Sequence, residues 1–241
     1  QPPGWGPHGY LFGSDALGRS LLGRFLVGGA ISLGIGFASA AIAVFIGTGV
    51  GLLAGYLGGR TDAVLMRMVD VLYGLPYILL VILMRVALVG PVTLWLTKFF
   101  AEPAPVANLL VLLVGIGAVS WLTMARVIRG QVLALRDQPF MEAARAIGVG
   151  HGGILWRHLL PNLVSPIVVY ATLTVPQAIL SESFLSFLGL GIQPPLPSWG
   201  SLASEGTAAL NPVHSYWWLL LWPCVGLSLT LLSLNFLGDG L

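Results

Sequence analysis

The chain has 241 residues, 56% of them hydrophobic and only 8% charged, with a mean hydropathy of +0.91. A typical soluble domain is about a quarter charged, and several apolar runs here reach the ~20 residues that a bilayer crossing needs, which sets aside a soluble helical core. The net charge of +2 is too small to indicate a nucleic-acid partner, and the single cysteine, Cys224, leaves no internal disulfide and no CxxC metal site.

Residues 1–13 are rich in Pro and Gly and should be irregular. Ser14-Asp15 offers a helix N-cap, and Leu17, Leu21, Leu22 and Phe25 then share one face, with Arg19 and Arg24 off it. This predicts a short amphipathic helix at the membrane surface, so that residues 1–30 form an external segment. The first span is expected from Ile31 to Leu57, where Gly47, Gly51 and Gly55 repeat at four-residue spacing and favour close helix contact inside the subunit. After a turn at Gly58 to Asp62, a second span is expected from Met66 to Val89, kinked at Pro76. Arg85 falls a few residues from the end of that span, close enough to snorkel to the interface. Residues 90–107 read as a loop with a short interfacial helix from Leu94 to Phe100.

The third span is expected from Leu109 to Val127, the fourth from Leu163 to Leu188 with Pro166 and Pro176 inside it, and the fifth from Tyr216 to Phe236. The segment following the fourth span, GLGIQPPLPSWGSLASEG, reads as a loop. Trp217, Trp218 and Trp222 fit an interfacial aromatic belt. Cys224 lies in an apolar run, where a buried thiol is expected. Arg60, Arg67, Arg126, Arg129, Arg136, Arg145 and Arg157 fall on one side of these spans, and Arg19, Arg24 and Lys98 on the other. The positive-inside rule therefore places the 129–162 loop in the cytoplasm and residue 1 outside, which leads us to expect a further span upstream, six in all, with both termini cytoplasmic.

Within that loop, Pro139 suits the first turn of a helix, where its missing N–H costs nothing. Phe140, Ala143, Ala144 and Ile147 recur at helical spacing as a small apolar stripe, with Glu142 and Arg145 off it. Glu142 sits in the first turn, where the helix dipole favours an anion, and Gly148 and Gly150 stop the helix. The residues alone predict a short cytoplasmic helix that either caps the bundle or docks onto a partner.

EAARAIG followed by LPN resembles the EAA motif of ABC-importer permeases. ARVIRGQVLALRDQPFMEAARAIG, WRHLLPNLVSPIVV, LSESFLSFLGLGIQPPLPSWG and the early GSDALGRSLLGR are similar to one branch of them, the second (C-type) permease of the dipeptide/oligopeptide/nickel importers. The resemblance covers nearly all of residues 10–241. It implies an all-α polytopic membrane protein with the type I ABC importer permease fold, its transmembrane domain spanning residues 31–241, in the bacterial inner membrane. It also implies a second homologous permease subunit, two cytoplasmic ATPases that carry ATP and Mg, and an external substrate-binding protein. Carried over residue by residue, Glu142, Ala143, Ala144, Arg145 and Gly148 belong to the ATPase-docking helix, and Leu160 and Pro161 fix its exit into the next span.

The chain carries no GxxxxGK[ST] phosphate loop and no HExxH-type metal motif, so neither ATP hydrolysis nor a bound cofactor is expected of this subunit. Glu182 stands in the fourth span beside Ser181, Ser183 and Ser186. A carboxylate there either lines a translocation path, with Ser183, or is a hydrogen-bonded structural group between helices. Two other functional classes remain open on residues alone: an ion-coupled secondary transporter, which would carry inverted repeats and several intramembrane carboxylates, and a non-transporting membrane scaffold.

Overall fold

The computed structural model describes residues 2–4, 10–15, 17–210 and 216–240, except the side chain of Asp239. Helices dominate: α1 (Leu21–Leu57), α2 (Gly59–Tyr73), α3 (Tyr77–Leu96), α4 (Pro103–Arg136) and α5 (Pro139–Ala146), then α6 (His151–Gly153), α7 (Leu160–Phe187), α8 (Trp199–Ala208) and α9 (Trp217–Asp239). A π-helical turn, Ile154–Leu159, joins α6 to α7, so that one continuous helix runs from His151 to Phe187. Among the described residues five helices are long and apolar enough to cross a membrane: α1, α3, α4, the His151–Phe187 helix and α9.

α1 and α4 form the most intimate pair. Gly47, Gly51 and Gly55 face α4, and a Cβ placed on Gly47 would lie 2.5 Å from Met124 Cβ, one on Gly55 2.7 Å from Val132 Cβ. The small residues therefore serve packing within the subunit, as expected, by letting two backbones approach. Around this pair Ile35, Val81, Ile116 and Leu185 join α1, α3, α4 and α7 into one cluster, while Met124, Ile128 and Val132 join the residues after α5 into another.

Several boundaries differ from expectation. Among the described residues no separate surface helix precedes the first span: helix begins at Leu21 and runs unbroken to Leu57. Pro76 breaks the second segment rather than kinking it. Its extended backbone (ψ 119°) starts α3, and α2 closes on Asp70 and Leu72 carbonyls just before it, as steric conflict with the residue preceding a proline dictates. Pro91, by contrast, lies inside α3, which continues to Leu96 through the stretch expected to be a loop. Arg85 consequently sits in the middle of the span and does not snorkel. Its Nη2 donates to Asn108 Oδ1 at 3.3 Å, and its buried Nη1 has no partner among the described residues.

The segment after α7 also contains a helix. Ser198 caps α8 by accepting from Ser201 N–H while Ser201 Oγ accepts from Ser198 N–H. The tryptophan belt is only partly outward. Trp217 is exposed, but Trp218 is buried and donates Nε1–H to the Ser14 carbonyl at 3.2 Å, and the Trp222 ring stacks on Phe12 at 4.0 Å. Those two rings hold the N-terminal segment down instead of marking an interface. Cys224 is exposed, not buried.

Candidate functional site

The helix α5 stands between the ends of α4 and the His151–Phe187 helix. Pro139 takes its first helical position, as expected, and Gln138 precedes it in extended conformation. At its far end Gly148 adopts φ +81°, with Gly148 N–H bonded to Arg145 O and Val149 N–H to Ala144 O, both at 3.0 Å. This is the paired closure that a left-handed residue after a helix permits, and glycine is the residue that enters it without strain. Val149 then packs into the cluster of Met141, Ile154 and Leu159.

The inward face of α5 and its apolar stripe overlap only at Ala144. Met141, 0% exposed, and Ala144 are buried three residues apart, on one side of the helix. Phe140, Ala143 and Ile147, counted with Ala144 in the stripe, are exposed, Ile147 at 80%. Glu142 and Arg145 are exposed as well. Arg145 Nη2 donates to the Arg136 carbonyl at 3.3 Å, whereas the Glu142 carboxylate has no hydrogen bond or ion pair among the described residues. The helix thus offers an apolar stripe and an unspent carboxylate to whatever lies beyond it, anchored from behind by Met141. Residue types alone did not disclose Met141 as the anchor, although its spacing from Ala144 fits one face.

Neighbouring groups fix the loop in place. Tyr56, at the end of α1, shares a hydrogen bond of 2.7 Å with His151 Nδ1, and Arg136 Nη1 donates to the Gly55 carbonyl at 3.3 Å. At the same end of the bundle Arg129 pairs with Asp62 through two hydrogen bonds, and Arg126 with Asp70 at 2.8 Å while lying 4.1 Å from the Tyr73 ring centroid. The Arg129 guanidinium holds the Asp62 carboxyl below the ordinary carboxylate range, outweighing the opposite pull of partial burial. Several of the arginines read as one side of the membrane therefore gather at one end of the bundle. Leu160 and Pro161 do not form the exit from α5. The chain turns at Gly148 to Gly150, and both residues lie within the continuous helix, directly after the π-turn. Pro161 has no N–H for a regular helical bond, and the wide turn before it absorbs that mismatch.

Glu182 and Ser183 lie elsewhere, in a buried knot. Glu182 is 0% exposed; Ser32 Oγ donates to its Oε2 at 2.7 Å, Ser186 Oγ to its Oε1 at 2.6 Å and Ser183 Oγ to Oε2 at 3.3 Å. Ser32 in turn accepts from Trp199 N–H at 3.3 Å and Ser186 from Ile192 N–H at 3.0 Å. The carboxylate so ties α1, α7 and the start of α8 together. Of the two readings of Glu182, this geometry fits a hydrogen-bonded group between helices, while Ser183 also borders a cleft of about 240 Å³ beside α8 and α9. Its partner Ser32 lies 150 residues away in sequence, and no spacing rule joins the two.

Residues 47–241 match the family described as the binding-protein-dependent transport system inner membrane component. The chain belongs to this family. It is 48% identical to the oligopeptide transport system permease protein OppC of Escherichia coli over 97% of this chain and 70% of that protein. Against OppC of Haemophilus influenzae it is 44% identical over 96% of this chain and 68% of the other, and against the dipeptide transport system permease protein DppC of Bacillus subtilis 43% over 96% and 67%. Among solved structures it is similar to an inward-facing MetNI methionine ABC transporter (TM-score 0.67, 20% identity, 91% of this chain and 94% of that one) and to an amino acid ABC transporter crystallised with histidines (TM-score 0.61, 16% identity, 90% and 92%). The fold of this inner-membrane component is accordingly that of the type I ABC importer permeases, and the chain is a multi-pass inner-membrane protein.

Proposed function

We propose that this inner-membrane component is the C-type permease subunit of an ATP-driven importer of peptides. A second, homologous permease completes the path, two cytoplasmic ATPases bind ATP with Mg and hydrolyse it, and an external binding protein delivers the solute. The likeness to oligopeptide and dipeptide permeases over 96–97% of this chain supports the substrate class. α5 is the docking element. The observation that carries this role is its polarity: Met141 and Ala144 hold it to the bundle, while Phe140, Ala143, Ile147 and the unpaired Glu142 face away. A helix that merely capped the bundle would turn its apolar stripe inward. Closure of the ATPases would draw the two permeases' docking helices together and rock the spans between inward- and outward-facing states. The secondary-transporter and scaffold readings draw no support from any observation.

The test is reconstitution of the complex in liposomes, wild type against Glu142→Ala, with ATP hydrolysis and uptake of a labelled dipeptide measured together. Glu142 is exposed and unpaired, so the variant should fold as the wild type does. Loss of one charged contact at an interface corresponds to a drop in uptake of about tenfold or more, with the ATPases weakly bound or uncoupled. Undiminished uptake overturns the role of Glu142, and failure of any ATPase to associate with the wild type overturns the importer reading.

A further inference from the structure

A cleft of about 400 Å³ opens between α3, α4 and α7, roofed by the end of α2, in the size range of small-molecule sites. Tyr77, Ser120, Thr123, Gln177 and Ser181 line it with Tyr73, and none of these side chains is charged. Their placement follows from helix periodicity: Ser120 and Thr123 are three apart on α4, Gln177 and Ser181 four apart on α7, and Tyr77 opens α3. Ser181, which faces the cleft, is the neighbour of Glu182, which faces the opposite way into its serine knot. One helix thus separates a saturated polar cluster from an unsaturated one.

The hydrogen-bonding capacity of this cleft is largely unspent. The Tyr77 hydroxyl is buried beside Ser120 and Ser181 and makes no well-formed hydrogen bond to either. Ser120 and Ser181 donate to carbonyls four residues back, leaving their oxygens free to accept. Among the described residues the side chains of Thr123 and Gln177 have no partner at all. Polar groups in membrane-spanning segments are costly unless they meet a partner or line a wet path. The guanidinium of Arg126 does not line the cleft and is held by Asp70 and the Tyr73 ring.

An uncharged lining with both donors and acceptors matches a neutral group that carries one N–H and one C=O. Without a fixed charge it would hold that group weakly enough to release it, which transport requires. We infer that this cleft is a way-station for the transiting solute, in which Tyr77, Thr123, Gln177 and Ser181 hydrogen-bond the amide backbone of a peptide without reading its side chains. The inference rests on the peptide-importer reading above and names the site within this chain at which that solute is held.

The experiment uses the complete reconstituted complex carrying Gln177→Leu, Thr123→Val or their conservative counterparts Gln177→Asn and Thr123→Ser. Uptake of a labelled dipeptide is measured per ATP hydrolysed, alongside uptake of the same dipeptide methylated on its amide nitrogen. The binding protein is the same throughout, so its own selectivity cancels from the comparison of variants. The expected result is a fall of about tenfold in peptide moved per ATP for Gln177→Leu, together with a smaller penalty for N-methylation than the wild type shows, since a lost hydrogen bond of this kind is worth about a factor of ten. Gln177→Asn and Thr123→Ser should restore most of the loss. Unchanged coupling in both apolar variants overturns the inference, as does a loss that the conservative variants share or that leaves the N-methyl penalty untouched, which is what a merely structural role produces. A wild-type complex that hydrolyses ATP but moves no peptide sinks the importer reading and the way-station with it, whereas wild-type uptake with unaffected variants sinks only the way-station.

Discussion

Glu182 is fully buried and receives hydrogen bonds from Ser32, Ser183 and Ser186, whereas the Glu142 carboxylate is exposed on α5 and receives none from the described residues. The side chain is the same; the difference lies in where its hydrogen-bonding capacity is used. Inside a bundle surrounded by lipid, no solvent compensates a carboxylate or a hydroxyl that loses its partner, so the knot at Glu182 is closed on itself. At the aqueous end a carboxylate can stay unpaired until a partner arrives. The comparison teaches that saturated polar groups hold this bundle together, and that on the docking role proposed above an unsaturated one serves coupling.

The most forceful way to break that comparison is Glu182→Ala. It strands the hydroxyls of Ser32 and Ser186 and frees the start of α8, and the expected loss of stability is on the order of 3 kcal/mol. Thermal denaturation of the detergent-solubilised protein reads it, and Glu182→Gln should recover part of the loss by keeping acceptors in place. A Glu182→Ala protein as stable as wild type but deficient in uptake would return Glu182 to the translocation path. Next in size is Met141→Ala, which empties the anchor behind α5 and should cost about 2–4 kcal/mol if the surrounding cluster fails to collapse. Because the anchor is local, the change should appear first as faster hydrogen exchange across residues 139–150, and exchange confined to other helices would contradict the anchoring role.

How much of this was legible beforehand depended on whether a residue's effect is local. The start of α5 at Pro139 and its stop at Gly148 follow from backbone chemistry within a few residues, and both stand where expected. The spans likewise follow from length and hydropathy. Phe140, Ala143, Ala144 and Ile147 mark an apolar stripe, but the stripe does not say which way it faces: Ala144 turns inward with Met141, and the other three are exposed. Pro76 and Pro91 show a second limit: one precedes a helix and the other sits within the same helix, so the residue type alone does not fix the outcome. In a lipid-facing chain both sides of a helix are apolar, so hydropathy does not say that Trp218 and Trp222 turn inward onto Ser14 and Phe12. The helix from Trp199 was marked in the sequence by Ser198 and Ser201, a capping pair overlooked among the prolines before it.

A smaller effect sharpens the comparison at the same helix. Gly148→Ala places a Cβ where φ is +81°, and space is not the obstacle, since nothing lies within 4 Å of the added atom. The cost is conformational alone, about 1 kcal/mol for a left-handed residue. Uptake should fall modestly while assembly holds, and Gly148→Asn, which tolerates that conformation better, should fall less. A larger loss for Gly148→Asn than for Gly148→Ala would mean that side-chain bulk at a partner surface, not backbone strain, sets the role of Gly148.

The smallest effect tests the aqueous end of the bundle by pH. Asp62 is held below the ordinary carboxylate range first by its hydrogen bonds from Arg129 and then by the charge of that guanidinium. A carboxyl depressed on folding contributes stability that is fully present above its unfolded pKa of about 4 and is lost as pH falls through the folded value. Asp62→Asn cannot titrate, so its deficit relative to wild type should be greatest near neutrality and should shrink as pH is lowered below about 4. Asp15 also lies below its ordinary range: burial pushes it up, and hydrogen bonds from Arg19 and Leu17 outweigh that push. It keeps its own acid limb in both proteins and cancels from their difference. Melting temperatures of the two proteins across that acid range measure the convergence. A deficit that stays constant with pH would show that Asp62 acts by shape or hydrogen bonding in either ionisation state, and would remove the ion pair from the account of how α2 is held to α4.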